Sequence, residues 1–312
     1  MFYWSSHRYG EGFTSTYSSK GYRIKPPIVK PTRLTSKERG GVGKNLSDGW
    51  VINYAIGCTH GCVFCYVDSI HKRYSRERVG PAVDMPWGEY FVVPENLWEA
   101  IEETPWTRWS GVEVLMSSTH DPYLPQLYRY TRAILEKALS SGIRIRILTR
   151  SLLAIKDLDL LSKFKDRVKF QVSIATMNED LARIIEPRVP SPSKRISLLR
   201  EAKETGISIL AIVAPVFPPN AYREDLARDL DEILSNLAEV GVDYVYGESL
   251  HIRGSNILYI EKALGEKIDV NHNFDRYAGK LFTELLRKYA LKGEWWYENY
   301  KTSIGNPETA HE

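Results

Sequence analysis

Residues 50–67 read WVINYAIGCTHGCVFCYV, an apolar run that ends at a glycine and continues into a loop carrying Cys58, Cys62 and Cys65. The run has the composition of a buried strand, which places the loop at that strand's carboxyl end. No other cysteine occurs in the 312 residues. Three thiols so close together leave one unpaired in any disulfide scheme and are not distributed as a disulfide framework; their spacing points to a metal site.

Five further runs read as strands: Val112 to Met116, Ile143 to Thr149, Val168 to Ile174, Ile207 to Val213 and Val242 to Tyr246. Between them Pro94 to Glu103, Tyr128 to Ser141, Leu158 to Phe164, Ser193 to Thr205 and Arg223 to Val240 have helical periodicity, with Gly142, Gly206 and Gly241 at far ends. This alternation predicts an α/β fold with a parallel sheet, closing into a full or partial barrel or staying open. In each case chemistry belongs at the carboxyl ends of the strands. Residues 68–93, with Lys72, Arg73, Arg76 and Arg78, are expected to form an excursion over the site. Past Glu248 a helix over Phe274 to Tyr289 and the aromatic tail WWYENY (295–300) are expected to cap the barrel.

At 43% hydrophobic and 26% charged residues the chain has ordinary globular composition, which excludes disorder and collagen-like repeats. No apolar run approaches the roughly 18 residues of a membrane span, and the start MFYWSSHRYGEG lacks a secretion signal's order, so a cytoplasmic protein with no membrane partner is expected. The net charge is only +3, but residues 1–48 carry +6 and the remainder −3. In that arm the charge is interleaved with Tyr3, Trp4, Tyr9, Phe13, Tyr17 and Tyr22, a mixture suited to phosphate contact and base stacking and equally to wrapping the domain. The organisation read from this is a basic aromatic arm (1–48), a barrel (49–250) and a helical extension (251–312).

A cubane cluster has four irons, so three thiolates leave one iron open to a substrate or cofactor, whereas electron-transfer clusters are normally held by four cysteines. The alternative is structural zinc bound by Cys58, Cys62, Cys65 and His60, although zinc ligands usually come as two separated pairs. CTHGCVFC resembles the C-x3-C-x-aromatic-C signature of the radical S-adenosylmethionine (SAM) superfamily. The resemblance implies a [4Fe–4S] cluster held by Cys58, Cys62 and Cys65, with S-adenosylmethionine chelated at the open iron. Reduction, which needs an electron donor, cleaves it to a 5′-deoxyadenosyl radical that abstracts hydrogen from substrate.

Further segments are similar to the branch containing spore photoproduct lyase and the DNA-repair-photolyase-like proteins: SSTHDPYLP (117–125), LTRS (148–151) with DLDLL (157–161), VSIAT (172–176), EPRVPSPSKRI (186–196) and IVAPVFP (212–218). The resemblance favours a partial (βα)6 TIM-type barrel with an N-terminal arm and a C-terminal helical extension. It implies cofactor contacts from Ser117, Ser118 and Thr119 to the methionyl group and from Arg150 to its carboxylate, where the branch has Lys. It further implies Ser173 at the ribose, Ala214 with Pro215 at the adenine edge and Tyr66 against the same base. Glu186 and Arg188 are expected to contact the cofactor or to pair with each other, and Asp121 to bind substrate or to shape its turn. Spore photoproduct lyase proper uses a further cysteine as hydrogen donor near the second strand end, where this chain has Ser117 and Ser118; Tyr123, Tyr246 and Tyr259 are the candidates for a radical relay. Three functions are therefore expected in competition: a radical enzyme acting on nucleic acid in a repair or modification lyase-like reaction, one modifying a small molecule, peptide or protein, and a non-enzymatic metal-binding structural or redox-sensing protein.

Overall fold

The computed structural model describes residues 22–31 and 46–297, together with the backbone course of an antiparallel hairpin, β1 (Tyr3–Arg8) and β2 (Phe13–Ser18). The side chains of Tyr3, Trp4, Tyr9, Phe13 and Tyr17 lie outside the described residues. Tyr22 is buried in a small apolar cluster with Ile56, Val79 and Tyr90.

The strands continue as β3 (Val29–Pro31), β4 (Trp50–Ile52), β5 (Ile56–Gly57), β6 (Phe91–Val92), β7 (Glu113–Met116), β8 (Arg144–Thr149), β9 (Val168–Ser173), β10 (Ser208–Val216), β11 (Tyr244–Ser249) and β12 (Gly293–Trp296). Eight of them form one sheet in the order β12-β11-β10-β9-β8-β7-β4-β3, parallel throughout except where β3 pairs antiparallel with β4. The helices relevant here are α1 (Val67–Tyr74), α2 (Leu97–Glu103), α3 (Tyr128–Ser140), α4 (Leu158–Ser162), α5 (Glu179–Ile185), α6 (Pro192–Glu204), α7 (Leu226–Val240), α8 (Asn256–Leu264) and α9 (His272–Lys288). None among the described residues is long and apolar enough to cross a membrane.

Alternation along the strands explains the two faces. Val114, Met116, Ile145, Ile147, Phe170, Val172, Ile209, Ala211 and Val213 share the main core with apolar faces of α3, α6, α7 and α9. The opposite side chains, Val51, Leu115, Leu210, Ile212, Tyr246 and Trp296, form a second cluster. This cluster runs from Val51, near one end of the sheet, to Trp296 on the strand at the other, and the architecture is mostly parallel α/β, that of a partial TIM-type barrel. Toward the amino ends of the strands this lumen turns polar: Arg146 Nε donates to Glu113 at 3.0 Å and its Nη1 to the Tyr246 hydroxyl at 3.2 Å, while Lys169 reaches Glu113 at 2.6 Å.

All six expected strands form, with two revisions. The first stops at Ile52 because the Asn53 amide takes over the pairing, accepting from Ser118 N at 3.0 Å and donating to Ser118 Oγ at 2.9 Å; the chain then pairs Ile56–Gly57 with Phe91–Val92. The aromatic tail is not simply a cap, since Gly293–Trp296 joins β11 as a further parallel strand. Its two tryptophans face opposite ways, Trp295 packing on Phe282 at 5.3 Å and Trp296 on Tyr246 at 4.8 Å between ring centroids. Gly293 permits the approach, because a Cβ there would lie 2.3 Å from the Val245 carbonyl oxygen. Phe282 ties α9 to this edge and is fully buried. Phe282→Ala is expected to destabilise the fold by about 3–5 kcal/mol, read as a lowered midpoint in urea unfolding.

Candidate active site

The cysteine loop sits where β5 ends, and backbone contacts from distant elements hold it. Val63 N donates to the Ile185 carbonyl at 3.0 Å, Cys65 N to the Cys62 carbonyl at 3.1 Å, and the Asn256 amide to the Phe64 carbonyl at 3.1 Å. The loop also meets the excursion after α1 backbone to backbone: Gly88 has a φ of +94°, and a Cβ on it would stand 2.6 Å from both Gly61 Cα and Arg188 Nη2. Cys58 and Cys62 are buried and Cys65 is half-buried. Burial pushes the Cys58 and Cys65 thiols up to about 12, and raises Cys62 despite the opposing charge of Arg150. Backbone N–H groups of Asp121 and His60 point to the Cys58 sulfur and that of Val67 to Cys65. Sulfurs removed from water yet supplied with N–H donors suit thiolates whose charge is balanced by iron, so the donor set fits an iron–sulfur cluster.

Zinc coordination by the same thiols plus His60 fits less well. The His60 Nδ1 lies 3.5 Å from Asp121 Oδ2, so that ring nitrogen faces a carboxylate. Among the described residues no three His, Cys, Asp or Glu side chains are grouped to hold a single metal ion.

Asp121 ties the loop to two strand ends. Its carboxylate accepts from Thr149 Oγ1 at 2.7 Å, Arg150 N at 2.7 Å and Tyr123 N at 2.9 Å, which makes it a brace and leaves it poorly placed as a substrate ligand. In the turn after β7, the Ser117 hydroxyl is buried and donates to the His120 carbonyl at 2.9 Å. Ser118 Oγ accepts from Asn53, and the Ser118 carbonyl receives the Tyr66 hydroxyl at 3.3 Å; Thr119 Oγ1 lies 3.4 Å from His120 Nδ1. Tyr66 itself is exposed beside the cysteine loop.

Around the ends of β8, β9 and β10 the structure brings together Arg150, Ser173, Glu186 and Ala214. Arg150 Nε donates to Glu186 Oε1 at 2.7 Å and its Nη2 to the Ala214 carbonyl at 3.2 Å, while Ser173 Oγ donates to the same carbonyl at 3.2 Å. The Arg150 guanidinium lies 5.4 Å from the Phe64 ring centroid and in the field of Cys62 and Cys65. Glu186 does not pair with Arg188. Its other oxygen accepts from Arg195, a fully buried residue whose Nη1 donates to the Ser173 carbonyl. Burial alone would raise the Glu186 pKa, but the two guanidiniums, Arg195 above all, hold it below the usual carboxylate range. Arg188 instead donates from Nη1 to the Gly88 carbonyl at 2.9 Å and covers the contact with Gly61, so it braces the loop. Arg195 escaped the sequence reading; its position in EPRVPSPSKRI was the available signal. Of the relay candidates, Tyr123 is buried against Asp157, Tyr246 bonds Arg146, and Tyr259 sits on the rim accepting from Lys72 at 3.1 Å.

The sequence profile of the radical SAM superfamily matches residues 52–233. The chain belongs to the radical SAM superfamily. A radical SAM protein is an enzyme, so the non-enzymatic reading falls. The family implies S-adenosylmethionine and a [4Fe–4S] cluster as its cofactors. This radical SAM chain is 58% identical over 279 residues to an uncharacterized protein of Acidianus two-tailed virus, covering 89% of this chain and 93% of the relative. With an uncharacterized protein of Methanocaldococcus jannaschii the identity is 30% over 252 residues, covering 78% and 89%. Among solved structures it shares its fold with spore photoproduct lyase complexed with dinucleoside spore photoproduct, at a TM-score of 0.59 and 14% identity over 90% of this chain and 81% of that one. A variant of that lyase with bound AdoMet superposes at a TM-score of 0.58 and 15% identity, covering 80% and 76%.

The Gly61–Gly88 contact gives a test of how the loop is held. Gly88→Ala should strain the backbone by about 1–3 kcal/mol and displace the loop. The expected result is less iron bound per chain after anaerobic reconstitution, with the secondary-structure content of the wild type.

Proposed function

We propose that this radical SAM enzyme holds a [4Fe–4S] cluster on Cys58, Cys62 and Cys65, binds S-adenosylmethionine at the carboxyl ends of β7 to β10, and acts on nucleic acid. The observation that carries the cofactor site is the chain of ion pairs Arg195–Glu186–Arg150 beside the thiols, which leaves the half-buried Arg150 guanidinium only partly paired and suited to an anionic ligand. The cofactor's carboxylate is such a ligand, and the Nη1 edge of Arg150 has no hydrogen-bonding partner among the described residues. Since Nε and Nη2 are already engaged, Arg150 holds the carboxylate by one edge.

When bound, the cluster supplies the electron that cleaves S-adenosylmethionine and releases a 5′-deoxyadenosyl radical for hydrogen abstraction. The protein's part is binding, orientation and exclusion of water. Ser117 spends its hydroxyl within the turn, whereas Ser118 Oγ only accepts, from Asn53, so its O–H and the backbone polar groups of 117–119 are what the turn would offer the methionyl group. Ser173 would stand near the ribose, Ala214 near the adenine edge, and the exposed Tyr66 ring would cover the base. Arg188 holds the loop and is no cofactor ligand in this reading.

Nucleic acid is supported by the rim of the mouth. The excursion that leaves the cysteine loop exposes Arg73 and Tyr74, the guanidinium lying 5.2 Å from the ring centroid, and its Lys72 lies over the exposed Tyr259 ring of α8, whose first residue binds the Phe64 carbonyl. Exposed cation–aromatic pairs of this kind suit phosphates and unstacked bases. The solved lyase carries a dinucleoside photoproduct, which is compatible with such a rim. Repair by a cysteine hydrogen donor is not part of the proposal, because Ser117 and Ser118 offer only O–H groups in that region.

Anaerobic reconstitution with iron and sulfide, then reduction with S-adenosylmethionine, should yield 5′-deoxyadenosine by chromatography, and Cys62→Ala should yield none. A wild type that carries four irons per chain and gives no product would overturn the radical reading. Single-stranded oligonucleotides should bind with affinity falling steeply as salt rises, the slope reporting the phosphates neutralised. Salt-independent or absent binding would move the substrate to a small molecule, peptide or protein.

A further inference from the structure

We infer that Arg195 is a positioning residue of the cofactor site, acting through Glu186 to aim the Arg150 guanidinium. The inference rests on the reading of Arg150 given above. Arg195 is completely buried on α6, so it touches no ligand itself. Its planar fork spans two acceptors of different mobility: Nη1 reaches the Ser173 carbonyl and Nη2 reaches Glu186 Oε2. The Ser173 end is fixed independently, because β9 is in register with β10 up to Ser173 opposite Ile212. Glu186 has no ladder. It follows the last residue of α5 with a φ of −131° and a ψ of 60°, outside helical geometry, and its side chain is located by guanidiniums alone.

The chain of forces therefore runs from the sheet to Arg195, from Arg195 to Glu186, and from Glu186 to the Nε of Arg150. Arg150 has one other side-chain hydrogen bond among the described residues, the longer one from Nη2 to the Ala214 carbonyl, and the Phe64 ring 5.4 Å away, which does not fix the rotation of the guanidinium in its plane. Without Arg195 the Glu186 carboxylate could swing fully onto the Nε–Nη2 edge of Arg150, displace Nη2 from the Ala214 carbonyl and turn the guanidinium away from its aim. A guanidinium presents two parallel donors at fixed spacing, whereas a lysine ammonium is a point donor on a flexible stem. Arg195→Lys thus keeps the buried charge and loses the two-acceptor geometry.

The test compares two ligands on the anaerobically reconstituted protein by equilibrium dialysis. S-adenosylhomocysteine carries the methionyl-type carboxylate; 5′-methylthioadenosine has the adenine and ribose without it. Arg195→Lys is expected to weaken S-adenosylhomocysteine about tenfold or more, the scale of one charge-assisted hydrogen bond, and to leave 5′-methylthioadenosine within about twofold. Glu186→Asp, which keeps the charge and shortens the arm between the two arginines, should give the same selective loss and serves as the readout if Arg195→Lys does not fold. Equal losses for both ligands would show a merely structural role, and unchanged affinity for both would show none; either overturns the inference. If the wild type binds neither ligand, the cofactor reading itself fails and this inference falls with it.

Discussion

A parallel sheet sends every strand the same way, and the chemistry of this molecule follows from that constraint. Side chains that leave β7, β8, β9 and β10 at their carboxyl ends converge on one rim, although they are far apart in sequence. The cysteine loop enters the same rim from β5. The opposite end of the lumen is a polar floor in which Arg146 and Lys169 share Glu113.

At the rim the charges are deliberately uneven. Asp121 is held by backbone and hydroxyl donors, and Glu186 is shared by two arginines. What remains is a cationic edge next to three sulfurs. Two glycines, Gly61 and Gly88, let the excursion press directly on the loop, and Arg188 covers the joint. The cluster loop is thus held from below by the brace of Asp121 and from outside by the excursion.

The strands were legible because each is a compact β-branched run bounded by turn residues, and the thiols because their spacing has few other uses. What was not legible depended on distance in space. β12 looked like an aromatic tail, since nothing local shows that Trp295 and Trp296 will find Phe282 on one face and Tyr246 on the other. Glu186 and Arg188 looked like a pair because they are neighbours in sequence; the actual partners, Arg150 and Arg195, lie 36 and 9 residues away and arrive by way of a different strand end and a helix. Asn53 ended its strand through a contact with Ser118, 65 residues on, which no strand pattern contains. The short helices α1, α5 and α8 carry too few turns for periodicity to declare them.

A sheet that curls without closing keeps two outer strands, and those are where chains join edge to edge. Here the terminal members are very short: β3 has three residues, the last of them Pro31, which has no N–H to offer, and β12 has four. Among the described residues the two ends of the sheet therefore present little template for cross-strand aggregation.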